Sequence, residues 1–216
     1  MIVEPLELVV ATAFDGPDRD GIDADDIATA VAGLDVTVPA PLRDFYAVAG
    51  RYDGMMSAHS RFQTPERLRV TDGHLVFCHE NQHVMEWGLR LSELTGPNPA
   101  VYVQMTDGPD VGRWSLEAKT LSAFLLGVGC WQAALACDES GESELAEADS
   151  ARLASLLTPV GDPDLREGGP LLGYVDRDHR VVVAHDRRHT TLFVGTPVED
   201  GLEDFEQRSG LDVNYY

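Results

Sequence analysis

The chain has 216 residues and is 44% hydrophobic, which is enough to bury the core of one domain, or of one domain with an appendage. Its 37 acidic and 16 basic side chains give a net charge of −21, which disfavours binding to nucleic acid or to an anionic membrane. The charge favours a basic protein partner, although salt adaptation of a whole proteome would produce it without any partner.

The sequence favours the reducing interior of a cell. No apolar run approaches the roughly 18 to 20 residues that a membrane span needs, and Glu4 and Glu7 stand where a signal peptide carries basic residues. Cys78, Cys130 and Cys137 are an odd set without CxxC spacing, which argues against disulfides and against a zinc site. We therefore expect a cytoplasmic protein without membrane contact, whose cysteines are small buried apolar residues.

The first quarter of the chain predicts short helices. Residues 1–14 are apolar enough for a strand or a short helix, and residues 15–26 are a loop rich in glycine, proline and aspartate. Apolar residues at helical spacing predict a helix over residues 27–34. A proline turn at residues 38–41 then leads to a second helix, which ends near Gly50.

An antiparallel meander is predicted next, followed by a helix. The predicted strands are residues 68–70, 75–78, 84–89 and 100–104. Residues 121–136 are apolar but too short to span a membrane, which predicts a helix that packs across the sheet, closely at Gly127 and Gly129. We expect Glu80–Gln82 at the end or edge of a strand. The side chains expected to be mostly buried are Phe45, Tyr46, Phe77, Val101 and Leu125.

The C-terminal third predicts a connector and more strands. Residues 138–170 are an acidic connector with a short helix around residues 145–157, and residues 171–216 hold three strands and a helix. Elements in blocks, without βαβ alternation, indicate an α+β domain in which helices cover an antiparallel sheet. We divide the chain into an N-terminal extension (1–20), a core (21–137), the connector and a C-terminal segment that extends the same sheet.

The aspartate-rich loop that begins at Asp15 has the composition of a calcium site. An EF-hand loop needs carboxylates at its first, third and fifth positions, glycine at the sixth and glutamate at the twelfth. With Gly21 at the sixth position, Gly16 falls at the first and Ile27 at the twelfth. The spacing therefore argues against calcium.

Two groups of histidines are candidate metal ligands. His74, Cys78, His79 and His83 fall within ten residues, but Cys78 and His79 point to opposite faces of a strand and cannot easily share one ion. His185 and His189 flank a charged turn. We expect neither group to bind a metal.

No segment has the pattern of a catalytic nucleophile or of a nucleotide-binding loop. The sequence has no G-x-S-x-G elbow and no cysteine in a polar, basic neighbourhood. Residues 127–132 lack the third glycine and the preceding strand of a dinucleotide fingerprint. We therefore predict neither catalysis nor a cofactor. The remaining candidates for recognition are aromatic side chains, which also suit core packing: Trp87, Trp114, Trp131 and Tyr102.

Three clusters of residues, taken in chain order, carry a family resemblance. The first is the pair of helices in residues 31–50 with its proline turn. The second and most specific is residues 75–88, in which a strand carries Glu-Asn-Gln and a tryptophan follows. The third is residues 98–126, with a strand, a tryptophan and a helix. The matching positions are Pro39, Leu42, Phe45, Tyr46, Gly50, Phe77, Glu80, Asn81, Gln82, Trp87 and Trp114.

In this order the clusters resemble the SUKH superfamily, the killer-toxin-resistance and cell-wall-synthesis-regulator type of fold. The resemblance implies a function in binding, because bacterial members are typically immunity proteins that neutralise a cognate polymorphic toxin, often a nuclease or deaminase. An acidic protein suits the basic surface of such a toxin. Two alternatives stay open: a scaffold or regulator that binds several protein partners, for example in cell-wall regulation, and an enzyme that uses residues 74–83.

Overall fold

The computed structural model describes residues 1–14 and 21–216, which form eight α-helices and twelve strands. The helices are α1 (Val3–Ala13), α2 (Ala24–Val31), α3 (Ala40–Ala49), α4 (Asp53–Ser57), α5 (Leu121–Ala136), α6 (Ser150–Leu156), α7 (Pro163–Arg166) and α8 (Gly201–Ser209). The strands are β1 (Ser60–Phe62), β2 (Arg69–Thr71), β3 (His74–Glu80), β4 (Met85–Arg90), β5 (Val101–Met105), β6 (Ser115–Ala118), β7 (Glu139–Glu144), β8 (Thr158–Pro159), β9 (Leu171–Asp176), β10 (Val181–Asp186), β11 (Thr191–Thr196) and β12 (Asn214–Tyr215).

The strands form two separate six-stranded sheets. The first sheet has the order β1-β3-β4-β5-β6, with β2 also paired to β3, and the second sheet has the order β12-β7-β11-β10-β9-β8. The ladders within both sheets are antiparallel. Helices combined with antiparallel sheets confirm the predicted α+β class.

The helix α5 lies between the two sheets and belongs to an apolar core that includes residues of both. On one side, the ring of Phe124 packs edge-on against the ring of Phe77 in β3, with centroids 5.7 Å apart. On the other side, Ala134 lies against Gly195 of β11. Because both sides are covered, the helix is apolar nearly all round. No helix of residues 1–14 and 21–216 is long and apolar enough to cross a membrane.

The second sheet is covered on both faces, which explains its run of apolar residues. In β10, Val182 and Ala184 belong to the core around α5, whereas Val181 and Val183 pack in a second cluster under α6 and α8. Phe205 of α8 is fully buried in that second cluster. A strand buried on both faces has a nearly continuous apolar sequence in place of an alternating one.

Several predictions from the sequence are confirmed. Residues 3–13 form a helix, which is one of the two alternatives predicted for residues 1–14; α5 has the predicted bounds, and Glu80 is the last residue of β3. The five side chains that were expected in the core are fully buried: Phe45, Tyr46, Phe77, Val101 and Leu125. The calcium interpretation began at Asp15, and residues 15–20 lie outside the described residues.

Two predictions for the C-terminal third are wrong. Residues 171–216 do not extend the first sheet but build the second one, because their strands have an apolar face on each side and pack between α5 and α8. Part of the acidic connector is the strand β7, which pairs with β11 and β12. Its buried positions are Gly141 and Ser143, so the alternation is between small and charged residues and carries no hydrophobic signal.

Candidate functional site

A cleft of about 340 Å³ lies between the two sheets and is bordered by α5. Concave sites with mainly apolar walls and a few convergent polar groups are typical of ligand binding. This inter-sheet cleft is lined by His59, Ser60, Glu80, Met85, Trp87, Val103, Glu117, Phe124, Val128, Trp131, Pro170, Leu171, Asp186, Arg188, His189 and Phe193.

Strand register places the contribution of the first sheet on one face. Ser60 pairs with Glu80, Cys78 with Trp87, and Trp87 with Val103. Residues that pair directly across antiparallel strands point to the same side of the sheet. Glu80, Trp87 and Val103 therefore share the face that looks toward α5 and the second sheet.

Aromatic rings from three elements line the cleft. Phe124 and Trp131 are two turns apart on one face of α5. The Trp131 ring lies 4.3 Å from the ring of His59, next to β1, and 5.3 Å from the ring of Phe193 in β11. The rings of Phe124 and Trp87 are 6.0 Å apart. These contacts join the helix to both sheets and fix the aromatic surface of the cleft.

Three ring nitrogens among the cleft residues are buried without a hydrogen-bond partner in the described chain. They are Nε1 of Trp87, Nε1 of Trp131 and Nδ1 of His59. Buried polar groups are nearly always paired in folded proteins, since an unpaired one costs about 1 to 3 kcal/mol. The two indole N–H groups are therefore unsatisfied donors that are shielded from solvent in this conformation.

Glu80 places a negative charge in the cleft. Glu80 is only 7% exposed. Among the described residues, its carboxylate takes part in no ion pair. Its Oε2 accepts hydrogen bonds from the backbone N–H groups of Gln82 at 2.8 Å and Val84 at 3.5 Å. Burial lowers the pKa of the neighbouring His59, and the Glu80 charge only partly opposes this, so His59 is neutral at pH 7.

An ion pair joins the two sheets at the cleft. Both Nη atoms of Arg188 lie 3.2 Å from the carboxylate oxygens of Glu117, and this bidentate geometry is stronger than an ordinary surface pair. His189 donates to Asp186 at 2.9 Å. Burial alone would raise the pKa of Asp186, but the hydrogen bonds from His189 and from the Arg188 backbone, with the Arg188 charge, lower it. The positive charge of Arg188 is thus already offset.

The motif positions predicted from the sequence fall in five places. Four are buried in the core, namely Leu42, Phe45, Tyr46 and Phe77. Two flank α3, namely Pro39 and Gly50. Asn81 and Gln82 are exposed in the turn between β3 and β4. Trp114 lies on the outer face of the first sheet, and Glu80 and Trp87 line the cleft. The structure therefore brings two motif residues together in the cleft, and the family roles stay predictions.

The four aromatic candidates for recognition divide between the two faces of the first sheet. Trp87 and Trp131 line the inter-sheet cleft. On the outer face, Trp114 stacks on His74 with ring centroids 4.1 Å apart, and Tyr102 meets the same imidazole edge-on at 5.6 Å. The two outer rings therefore both pack on His74, whereas the two cleft rings also border an open volume.

The structure separates Cys78 from the histidines near β3. Cys78 is fully buried in the core, and His79 is partly exposed on the opposite face. The turn after β3 brings the rings of His79 and His83 to 4.6 Å, while His83 pairs with Glu86 at 3.0 Å. Among the described residues, no group of three or more histidine, cysteine or acidic side chains is arranged to hold an ion.

The three cysteines are expected to be unreactive in the folded protein. Burial raises the pKa of the Cys130 and Cys137 thiols to about 12 and raises that of Cys78 well above its ordinary value. With a pKa of about 12, roughly one thiol in ten thousand is ionised at pH 8. A chromogenic disulfide reagent should modify all three thiols in denaturant and none at a comparable rate in buffer. Rapid modification of one thiol in buffer would contradict this.

Sequence reasoning missed most of the cleft. His59, Glu117 and Phe193 are not candidates from the sequence, because they come from three distant segments of the chain and have no local motif in common. Trp131 was named only as a candidate aromatic side chain. The cleft exists because two sheets meet across one helix, and no short stretch of sequence encodes that meeting.

Comparisons with protein-family models, with curated proteins and with solved structures find no match to this chain. The resemblance to the SUKH superfamily rests on the residues that carry it and stays a prediction.

Proposed function

We propose that this protein binds and covers a basic protein partner without catalysing a reaction. The partner proposed from the family resemblance is a cognate bacterial toxin, such as a nuclease or a deaminase, which the protein neutralises. The observation that carries the proposal is the net charge of −21. A surface of that charge attracts a basic partner and repels nucleic acid, the substrate such a toxin would otherwise bind.

The basic side chains do little to offset the acidic surface, because many are held by acidic neighbours. Arg208 lies 2.7 Å from Asp176 and 2.6 Å from Asp204, and Arg188 is held by Glu117. Cations that are neutralised locally create no positive patch. The remaining carboxylates therefore dominate the field that a partner meets on approach.

Charge alone rarely gives tight binding, and the inter-sheet cleft supplies the other component. Rim charges mainly set the association rate and the choice of partner, whereas buried aromatic contacts carry most of the affinity. Trp131 and Phe193 border the cleft beside the carboxylate of Glu80. An aromatic surface next to acidic groups is the combination that supports a binding function.

The proposal predicts a strong effect of salt on association. We expect the on-rate for the partner to fall by about tenfold or more over a tenfold rise in ionic strength, because salt screens the steering charges. The off-rate should change much less, since it depends on short-range contacts. The partner is obtained by affinity capture from producing cells, and the rates are measured by stopped-flow mixing.

Three outcomes separate the proposal from its alternatives. A captured toxin whose activity falls to zero at one equivalent of this protein supports neutralisation. Several partners, each bound weakly and none inhibited, would favour the scaffold or regulator. An on-rate that does not change across the salt series would indicate that the acidity reflects adaptation of the proteome to salt and not partner binding.

A further inference from the structure

The inter-sheet cleft has an excess of negative charge. Its ionisable carboxylates are Glu80, Glu117 and Asp186, and its guanidinium is Arg188. Arg188 is engaged with Glu117 and lies 3.7 Å from Asp186, whereas Glu80 has no cationic partner in the described chain. A carboxylate in a site this poorly exposed is costly without a positive charge or full hydrogen bonding.

The rings beside Glu80 suit a cation better than an anion. The face of an indole ring carries partial negative charge, so it attracts an ammonium or a guanidinium group and repels a carboxylate. Trp87 and Trp131 both border the cleft. A guanidinium is the better match, because it is planar, stacks on aromatic faces and is less strongly hydrated than an ammonium group.

The unpaired ring nitrogens also require that the ligand supply hydrogen-bond acceptors. The indole N–H groups of Trp87 and Trp131 are donors, and a guanidinium offers no acceptor. The backbone carbonyl groups on either side of an arginine do offer acceptors. A segment of polypeptide therefore offers a cation to the carboxylate and, once the rings turn toward it, acceptors to the indole donors, which a free amine cannot do.

We propose that the inter-sheet cleft binds an arginine side chain, with its adjoining backbone, from the protein partner. This deepens the proposed function and rests on it, because the arginine belongs to that partner. The guanidinium sits between the Glu80 carboxylate and the rings of Trp87 and Trp131. The cleft volume of about 340 Å³ lies at the lower end of the range for ligand sites.

The probe for this proposal is a blocked tripeptide, acetyl-Gly-Arg-Gly-amide, and its control contains citrulline in place of arginine. Citrulline has nearly the same shape but no charge. Binding is followed by the ¹H–¹⁵N signals of the indole N–H groups. The arginine peptide should shift the signals of Trp87 and Trp131, and the citrulline peptide should bind at least about tenfold more weakly. Trp114, on the outer face of the first sheet, is the internal control.

Two variants with equal net charge test the role of Glu80. Glu80→Gln keeps an oxygen that accepts from the turn backbone and should weaken the arginine peptide by about tenfold. Glu144→Gln removes one exposed charge outside the cleft and should leave the affinity within about twofold. Equal binding of the two peptides to the unmodified protein, or shifts confined to Trp114, would overturn the proposal even if Glu80→Gln does not fold.

The captured partner separates this proposal from the proposed function. If the partner binds the unmodified protein and Glu80→Gln equally well, the cleft proposal fails and the proposed function stands. If the arginine peptide binds in the cleft but no protein partner is neutralised, the site stands and the proposed function fails.

Discussion

Replacing Gly195 by alanine is expected to destabilise the protein by about 3 kcal/mol or more, at the upper end of the cost of overpacking a core. A Cβ atom at this position would lie 2.0 Å from the backbone oxygen of Ala134 in α5. The obstacle is backbone, so no side chain can rotate to make room. The second sheet would have to move away from the helix that joins it to the first sheet.

The matched control is the same substitution at Gly33, where an added Cβ meets no atom within 4 Å. Gly33→Ala is expected to leave the stability unchanged within about 1 kcal/mol, because a methyl group there costs no packing and slightly restricts the unfolded chain. Urea denaturation at 25 °C measures both variants. A Gly195→Ala protein as stable as the control would mean that the sheet and the helix can separate without cost.

The central helix is the part of the fold that the sequence specifies most clearly. The apolar run ends where α5 ends, and Gly127 was expected to allow close approach, which the backbone of Leu171 now makes at this position. The glycines of the second sheet, Gly173 and Gly195, gave no such signal. A glycine in a strand has many possible roles, and only the facing helix shows that these two are contact points.

The strand β7 shows the opposite case. Its sequence, Glu139–Glu144, consists of glutamate, serine and glycine, and these residues are more common in turns than in strands. Backbone pairing on both sides makes it a strand, with β11 along one edge and β12 along the other. Because its pairing partners lie in distant segments of the chain, local propensity could not reveal it.

The candidate site is also predictable only in part, because it depends on contacts between distant segments of the chain. Glu80 and Trp87 were selected from a local pattern, and the cleft includes both. Their relationship to Trp131 depends on how α5 lies across the first sheet. Their relationship to Phe193 depends on the second sheet, whose strands the sequence predicts as an extension of the first sheet.

A second large loss of stability is expected on substitution of Gln132, a fully buried polar residue on α5. Its Oε1 accepts hydrogen bonds from the backbone N–H groups of His59 and Ser60, both at 2.9 Å. Its Nε2 donates to the backbone oxygens of Ser60 at 2.5 Å and Met55 at 3.3 Å. One amide thus satisfies four backbone groups that no strand ladder or helix bond reaches, and it ties α4 and the edge strand β1 to the central helix.

Gln132→Leu is expected to cost about 3 kcal/mol or more, because leucine fills a similar volume but leaves those backbone groups buried without partners. The control is Gln104→Leu, also at a buried glutamine, whose amide donates one bond of 3.3 Å to Glu86. That substitution should cost about 1 kcal/mol. Urea denaturation of both variants tests the difference.

A second measurement links this stability effect to the cleft. The ring of His59 packs against that of Trp131, and the His59 backbone is held in place by Gln132. The Trp131 indole signal should therefore shift in Gln132→Leu and stay unchanged in Gln104→Leu. Equal losses of stability in the two variants, with no change at Trp131, would show that apolar packing alone holds β1 on α5. The aromatic wall of the cleft would then not depend on the buried amide.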